Sequence, residues 1–239
     1  MEVNNIYQED CLEGMRKLPD NSVDLILTSP PYNLGDDFHS NHLRFEGYEG
    51  DDMEESAYRQ WQVEVLNECY RVLKENGSMW YNHKIRIKDG VIKHPIEWLT
   101  KTNFCIKQEI VWNQKKGANV AKIRCFPFSE RIWWLAKDSK TKIFNKNNRK
   151  DVWNIVPTHR RSDYNHPAVM AEEVAEWIYQ LYDEKHEVDL VLDPFAGVGT
   201  SFLPAIKRDI DYIGFELDKD YIKTAEERLK EPIQEQLLS

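Results

Sequence analysis

The sequence predicts an α/β fold, a doubly wound and mostly parallel sheet with helices on both faces. Three observations carry this. Two short aliphatic runs, residues 23–27 and 188–192, read as buried strands, and each ends abruptly in a loop rich in proline or glycine. Helical patterns of apolar residues alternate with such strands along most of the chain, as parallel βαβ units require. No internal repeat interrupts the alternation.

The elements follow in order. Residues 3–8 form a plausible strand, and 11–18 carry apolar residues at helical spacing before Pro19-Asp20-Asn21 closes the turn. The 23–27 strand comes next. Residues 34–56 show no period and are expected to be a long loop, of a length that in compact domains is either functional or disordered. Ser56 is placed to cap a helix over 57–74 that Asn76-Gly77 stops, and 78–81 resumes as a strand. A short helix at 95–100, a strand at 104–112, a basic loop at 113–128 and an apolar strand at 130–136 follow. Trp133 and Trp134 in the last are expected in the core. Residues 137–165 read as a small irregular lobe, 167–182 as an amphipathic helix, and 188–192 as a strand. A helix through Ala205-Ile206, a strand 212–217 and a helix 221–229 complete the pattern.

At 239 residues and 41% hydrophobic content the chain supports one main domain, with 1–136 and 166–239 forming the body and 137–165 inserted. Cys11, Cys69, Cys105 and Cys125 are widely spaced, without a zinc or redox motif, so buried thiols in a reducing cytoplasm are expected and no metal. No apolar run approaches membrane-spanning length. The net charge is −9, but from Lys115 to Arg161 thirteen Lys and Arg face three acids, so that segment carries +10 and the remainder −19. This segregation suits a catalytic body with one face for a polyanion. Lys115, Lys116, Lys122, Arg124, Lys142, Lys146, Arg149, Arg160 and Arg161 are the candidate contacts.

Two strand ends carry the chemistry. After the 23–27 strand, Thr28-Ser29-Pro30-Pro31-Tyr32 is a doubly locked turn, since each proline fixes its φ and restricts the residue before it. Rigid acceptors followed by an aromatic ring can hold a flat ligand bearing an amino group. After the 188–192 strand, Asp193-Pro194-Phe195-Ala196-Gly197-Val198-Gly199-Thr200 lets a ligand approach the backbone. Phe202 stands where a dinucleotide fingerprint has its third glycine, so a pyrophosphate is not supported. Glu216, seventeen residues beyond Gly199 at the end of the next strand, is placed to take ribose hydroxyls. A ribose-bearing ligand without phosphates is expected, with Asp193 and the loop amides at its charged end.

Together these two stretches resemble the cofactor and catalytic motifs of the DNA amino-methyltransferases that use S-adenosylmethionine. Their order, catalytic motif first, resembles the β-group, a circular permutation of the Rossmann-like methyltransferase fold. The resemblance covers nearly the whole chain. It implies that Asp10, in Glu9-Asp10-Cys11, accepts from the cofactor's adenine amino group, that His166 starts the helix completing the pocket, and that Thr28 belongs with the cofactor contacts. Phe195, Gly197, Gly199 and Thr200 match the loop around the methionine part, and Glu216 the ribose acid. Residues 137–165 stand where the β-group keeps its target-recognition region.

The implied reaction is methyl transfer to the exocyclic amine of a base flipped out of DNA, with double-stranded DNA favoured and single strands open. The Ser29 hydroxyl and Pro30 carbonyl accept from the amine, and Tyr32 stacks on the base. Ser at position 29 resembles the cytosine-N4 enzymes, whereas Asp or Asn is usual for adenine N6; cytosine is favoured and adenine stays open. No cysteine adjoins the Pro-Pro turn, which speaks against ring-carbon methylation. The resemblance, to a family that often pairs through its helices, leaves a homodimer and a cognate restriction endonuclease open as partners. RNA, small-molecule or protein-amide methylation, or a non-catalytic DNA-binding regulator, are the rival readings.

Overall fold

The computed structural model describes residues 1–34, 52–115, 125, 127–157, 169–182 and 188–237, the last seven by their backbone alone. In chain order the elements are β1 (Asn5–Gln8), α1 (Cys11–Met15), β2 (Val23–Thr28), α2 (Glu55–Val72), β3 (Leu73–His83), β4 (Arg86–Lys88), β5 (Val91–Lys93), α3 (Ile96–Leu99), β6 (Cys105–Asn113), β7 (Ser129–Ala136) and β8 (Val152–Asn154). Then come α4 (Glu172–Tyr179), β9 (Leu190–Asp193), a 3-10 turn (Thr200–Phe202), α5 (Leu203–Ile206), β10 (Asp211–Glu216) and α6 (Lys219–Leu237).

Eight strands form one sheet in the order β1-β10-β9-β2-β3-β7-β6-β8, and β4-β5 is a separate hairpin. Every neighbouring pair is parallel except those involving β7, which runs against β3 and β6. The first strand lies beside the last, with Asn5 opposite Ile213 and Gln8 opposite Glu216, the neighbourhood a permuted chain order demands. Side chains alternate between faces with the strand period. Leu25, Leu27, Trp80 and Trp134 enter one core with α4, and Ile26, Met79, Trp133 and Phe215 enter another with α1 and α2. Both tryptophans of the 133–134 pair are buried, because successive β7 residues serve opposite layers.

Several local expectations are corrected. The α2 N-cap is Glu54, whose carboxylate accepts from the Ser56 and Ala57 amides; Ser56 lies inside the helix. The helix stops at Val72 rather than near Asn76, because Leu73 already has extended backbone and begins β3. Within the apolar pattern of 167–182, the described residues form a helix over Glu172–Tyr179. Residues 152–154, expected in an irregular lobe, form β8 on the sheet edge, anchored by buried Trp153. Cys125 is exposed, so the thiols are not uniformly buried.

The chain after β9 crosses to β10 on one side, and the chain after β2 returns at β3 on the other. The strand order therefore reverses between β9 and β2, and a crevice opens there at the carboxyl edge. Since β7 is antiparallel, its start at Ser129 and Glu130 also lies on that edge.

Candidate active site

The ends of β9 and β2 are tied across the switch by one buried hydrogen bond, from Thr28 Oγ1 to Asp193 Oδ1 at 2.6 Å. Asp193 also accepts from the Phe195 amide at 3.0 Å and the Ser201 hydroxyl at 2.6 Å, so its carboxylate organises the loop that follows it. Burial nonetheless pushes its pKa up to about 6, overriding the three hydrogen bonds that favour the charged form. The loop turns through Gly197 and Gly199 at φ 50° and 77°, left-handed backbone suited to glycine. A Cβ on Gly199 would also crowd Ala225 Cβ at 3.2 Å.

Glu216, buried at the end of β10, accepts from the Gly197 amide at 2.9 Å and from the Leu217 and Asp218 amides at 2.8 and 2.9 Å. Burial raises its pKa against these bonds. Thr200 Oγ1 and the Val198 carbonyl both accept from Arg228 Nη1, whose guanidinium also reaches Glu172 through Nη2 at 2.7 Å. Nothing local in the sequence announces Arg228 as a tether, since it sits on α6, far along the chain from the loop it holds.

At the end of β1, Asp10 caps α1, with Oδ1 accepting from the Leu12 and Glu13 amides at 2.9 and 3.1 Å. Cys11 beside it is buried, and burial followed by the Asp10 charge drives its thiol far above the usual range, so it is no nucleophile. Leu217, 47% exposed, adds an apolar surface next to Glu216. Asp10, Glu216 with Leu217, the glycine loop, and the Thr28–Tyr32 turn thus follow one another across β1, β10, β9 and β2. A carboxylate at one end, a buried carboxylate beside an apolar patch, and a close-approach loop, in that order, suit the adenine, ribose and charged methionine end of S-adenosylmethionine, which are joined in the same order.

The Pro-Pro turn is held from α2. The Tyr58 hydroxyl donates to the Pro31 carbonyl at 2.7 Å, and Asn33 exchanges hydrogen bonds with the Met53 backbone at 3.0 and 2.7 Å. Buried Arg86 pairs with both oxygens of Glu55 and donates to the Asn33 carbonyl. His83, whose ring lies 4.6 Å from the Tyr32 ring at a tilt of 36°, is fully buried, and burial pushes its pKa down to about 3, so it is neutral.

Sequence reasoning missed two residues of this end, Asn82 and Glu130. The Tyr32 hydroxyl lies 2.8 Å from Ser29 Oγ and donates to Glu130 Oε2 at 3.0 Å, while Asn82 Nδ2 donates to Tyr32 at 2.7 Å, Glu130 at 3.0 Å and Ser29 at 3.3 Å. Burial, then the Glu130 charge, raises the Tyr32 phenol well above its ordinary value.

The basic residues divide. Lys115 follows β6 at the carboxyl edge, while Lys116, Lys122, Arg124, Arg160, Arg161 and His166 lie outside the described residues. Lys142 and Lys146 are exposed but follow β7, whose end points away from the crevice; in the same segment Lys137 reaches Asn21 ahead of β2, on the opposite edge. Arg149 stacks over Trp177 at 4.1 Å and hydrogen-bonds Gln180. The structure therefore does not bring Lys142, Lys146 and Arg149 to the site, because one antiparallel strand carries the chain to the far edge before β8 returns it.

A family model described as DNA methylase matches residues 23–227, from β2 to within α6. The chain belongs to this family of N6 and N4 DNA methyltransferases. Among its relatives, the DNA adenine methyltransferase YhdJ of Escherichia coli (strain K12) is 30% identical, over 95% of this chain and 83% of that one. The cytosine-N4-specific PvuII DNA methyltransferase shares the fold with a TM-score of 0.75 at 20% identity, over 98% of this chain and 92% of that one. The structure of M1.HpyAVI in complex with SAM matches with a TM-score of 0.64 at 24% identity, over 94% of this chain and 99% of that one. This DNA methyltransferase builds its crevice at the carboxyl ends of a mostly parallel sheet.

Proposed function

We propose that this DNA methyltransferase uses S-adenosylmethionine to methylate the N4 amine of cytosine, taking the base out of the duplex to do so. The observation that carries the reading is the place of Ser29. Its hydroxyl stands one residue beyond the Thr28–Asp193 bond, where the target end of the crevice meets the glycine loop. An exocyclic amine is a weak nucleophile because its lone pair is delocalised into the ring. Acceptors fixed on its N–H groups keep that lone pair on nitrogen and aimed, and Ser29 Oγ with the Pro30 carbonyl supply them from a turn that Tyr58 and Asn33 hold rigid. Asp10, Glu216, Phe195 and the Gly197–Thr200 backbone would hold the cofactor, which supplies an electrophilic methyl group when bound. Extruding the base costs a few kcal/mol, set against stacking on the Tyr32 ring and the pocket contacts.

The carboxyl edge is the proposed DNA-contacting surface, since β6 ends, β7 begins and β8 ends there with Lys115 just beyond β6; Lys116, Lys122, Arg124, Arg160 and Arg161, which follow β6 and β8 in the sequence, are proposed to share in it. Target recognition is then shared between residues 113–128 and the later part of 137–165. Adenine N6 is the second reading, supported by the name of the 30%-identical YhdJ relative. Mass spectrometry of nucleosides from unmethylated DNA, incubated with the protein and labelled S-adenosylmethionine, tests both. N4-methylcytosine is expected. N6-methyladenine would overturn the choice of base, and an absence of labelled nucleoside would overturn the reading.

A further inference from the structure

Methylating an amine releases a proton, and the target end of the crevice contains a route for it that ends on a strand outside both sequence motifs. Ser29 Oγ, Tyr32 OH and Glu130 Oε2 stand in line at 2.8 and 3.0 Å. Asn82 sets the direction of that line. Its Nδ2 donates to Tyr32 at 2.7 Å and to Glu130 at 3.0 Å. A carboxylate only accepts, so the Tyr32 proton points to Glu130 and the Ser29 proton points to Tyr32; Asn82 Nδ2 takes one Ser29 lone pair at 3.3 Å and leaves the other for a substrate N–H. The arrangement leaves Asn82 Oδ1 buried without a donor among the described residues. The opposite amide orientation would set that oxygen against Glu130, so the unsatisfied acceptor is the cost of keeping a donor on the carboxylate.

We infer that Glu130 is the terminal proton acceptor of the reaction, a positioning residue that acts on the amine through Tyr32 and Ser29. The inference rests on the proposed role of Ser29. As the nitrogen–carbon bond forms and the methyl–sulfur bond breaks, one amine proton passes to Ser29 Oγ, the Ser29 proton to the Tyr32 oxygen, and the Tyr32 proton to Glu130. Ser29 and Tyr32 finish as they began, the carboxylate finishes neutral, and its lost negative charge balances the positive charge lost at sulfur. Among the described residues, the titratable and charged groups around Glu130 and its partner are Tyr32 from the turn after β2, neutral His83 from β3 against the Tyr32 ring, and the Arg131–Glu109 pair joining β7 to β6. None of these is a competing carboxylate on the Tyr32 side.

The test is single-turnover methylation of DNA across pH, at saturating cofactor, for wild type, Glu130→Gln and Glu130→Asp. Gln keeps the shape and accepts a hydrogen bond but takes up no proton. Glu130→Gln is expected to slow transfer about 100-fold and to erase the loss of rate at acid pH, with the calorimetric cofactor Kd unchanged. Glu130→Asp should retain the acid limb. Apart from activity, 13C NMR of labelled tyrosine should show the Tyr32 phenol ionising at lower pH in Glu130→Gln, the signal being assigned with Tyr32→Phe. A Glu130→Gln rate within about threefold of wild type, or a slowed variant that keeps the acid limb, overturns the inference while wild-type methylation still upholds the role of the site. A wild-type protein that methylates no DNA overturns that role and the relay together.

Discussion

The two halves of the crevice are held together by different bonds. On the cofactor side, Glu216 is fixed by three backbone amides and Asp193 by one amide and two hydroxyls, all but Thr28 from the loops that directly follow β9 and β10. On the target side, Ser29, Tyr32, Asn82 and Glu130 hold each other by side chains alone, from three strands separated by long stretches of chain. The first half tolerates few changes of backbone, and the second few changes of functional group. On the proposed reading, a ligand common to a whole family is met by a local loop, whereas the chemistry of one amine draws its groups from the turn after β2 and from β3 and β7.

That contrast also explains what the sequence made legible. The glycine loop, Glu216 and the Pro-Pro turn are contiguous or lie at a fixed strand-to-strand interval, so residue spacing marks them. Asn82 and Glu130 look like ordinary strand residues, and only the pairing of β3 with β2 and of β7 with β3 brings them to Tyr32. The same strand reversal misled the reading of the basic segment, because charge along the chain says nothing of which sheet edge a lysine reaches. The fold was legible for the reason the cofactor half was: apolar runs and helical periods are local. β8 escaped because three residues anchored by one tryptophan carry too little pattern.

Changes on the target side should give the largest effects. Ser29→Ala, removing the first acceptor, is expected to lower the single-turnover rate about 100-fold, near 3 kcal/mol, with melting temperature and cofactor affinity kept. On the other side, backbone clearance is the weak point. A Cβ on Gly14 would lie 2.2 Å from the Phe215 ring, next to Glu216, so Gly14→Ala should cost about 1–3 kcal/mol in urea unfolding and weaken cofactor binding. An unchanged unfolding midpoint would show that β10 shifts freely and that the backbone half is less rigid than described.

The pH dependence of stability separates the halves by sign. The Asp193 pKa rises from 3.8 to about 6 on folding, so its contribution is full below the lower value and is lost as pH rises through the upper. The His83 pKa falls from 6.5 to about 3, so its contribution is present above the higher value and is lost as pH falls toward the lower. Relative to Asp193→Asn, the wild type should therefore gain about 1 kcal/mol between pH 7 and pH 5. No pH-dependent difference between the two proteins would place the Asp193 proton elsewhere. The smallest effects should fall on the DNA surface. Lys115→Ala is expected to reduce the salt dependence of DNA binding by about one counterion, and Lys142→Ala and Lys146→Ala to leave it unchanged. A slope moved by Lys142 or Lys146 would bring the far edge of the sheet into the DNA interface.

The division of labour itself is tested most directly by calorimetric titration of S-adenosylmethionine into Glu216→Ala and Tyr32→Ala, measured side by side with wild type. Glu216→Ala should weaken the cofactor about tenfold or more, at least 1.4 kcal/mol, while Tyr32→Ala binds it within about twofold of wild type. Equal loss in both variants, or an unchanged affinity in Glu216→Ala, would contradict it.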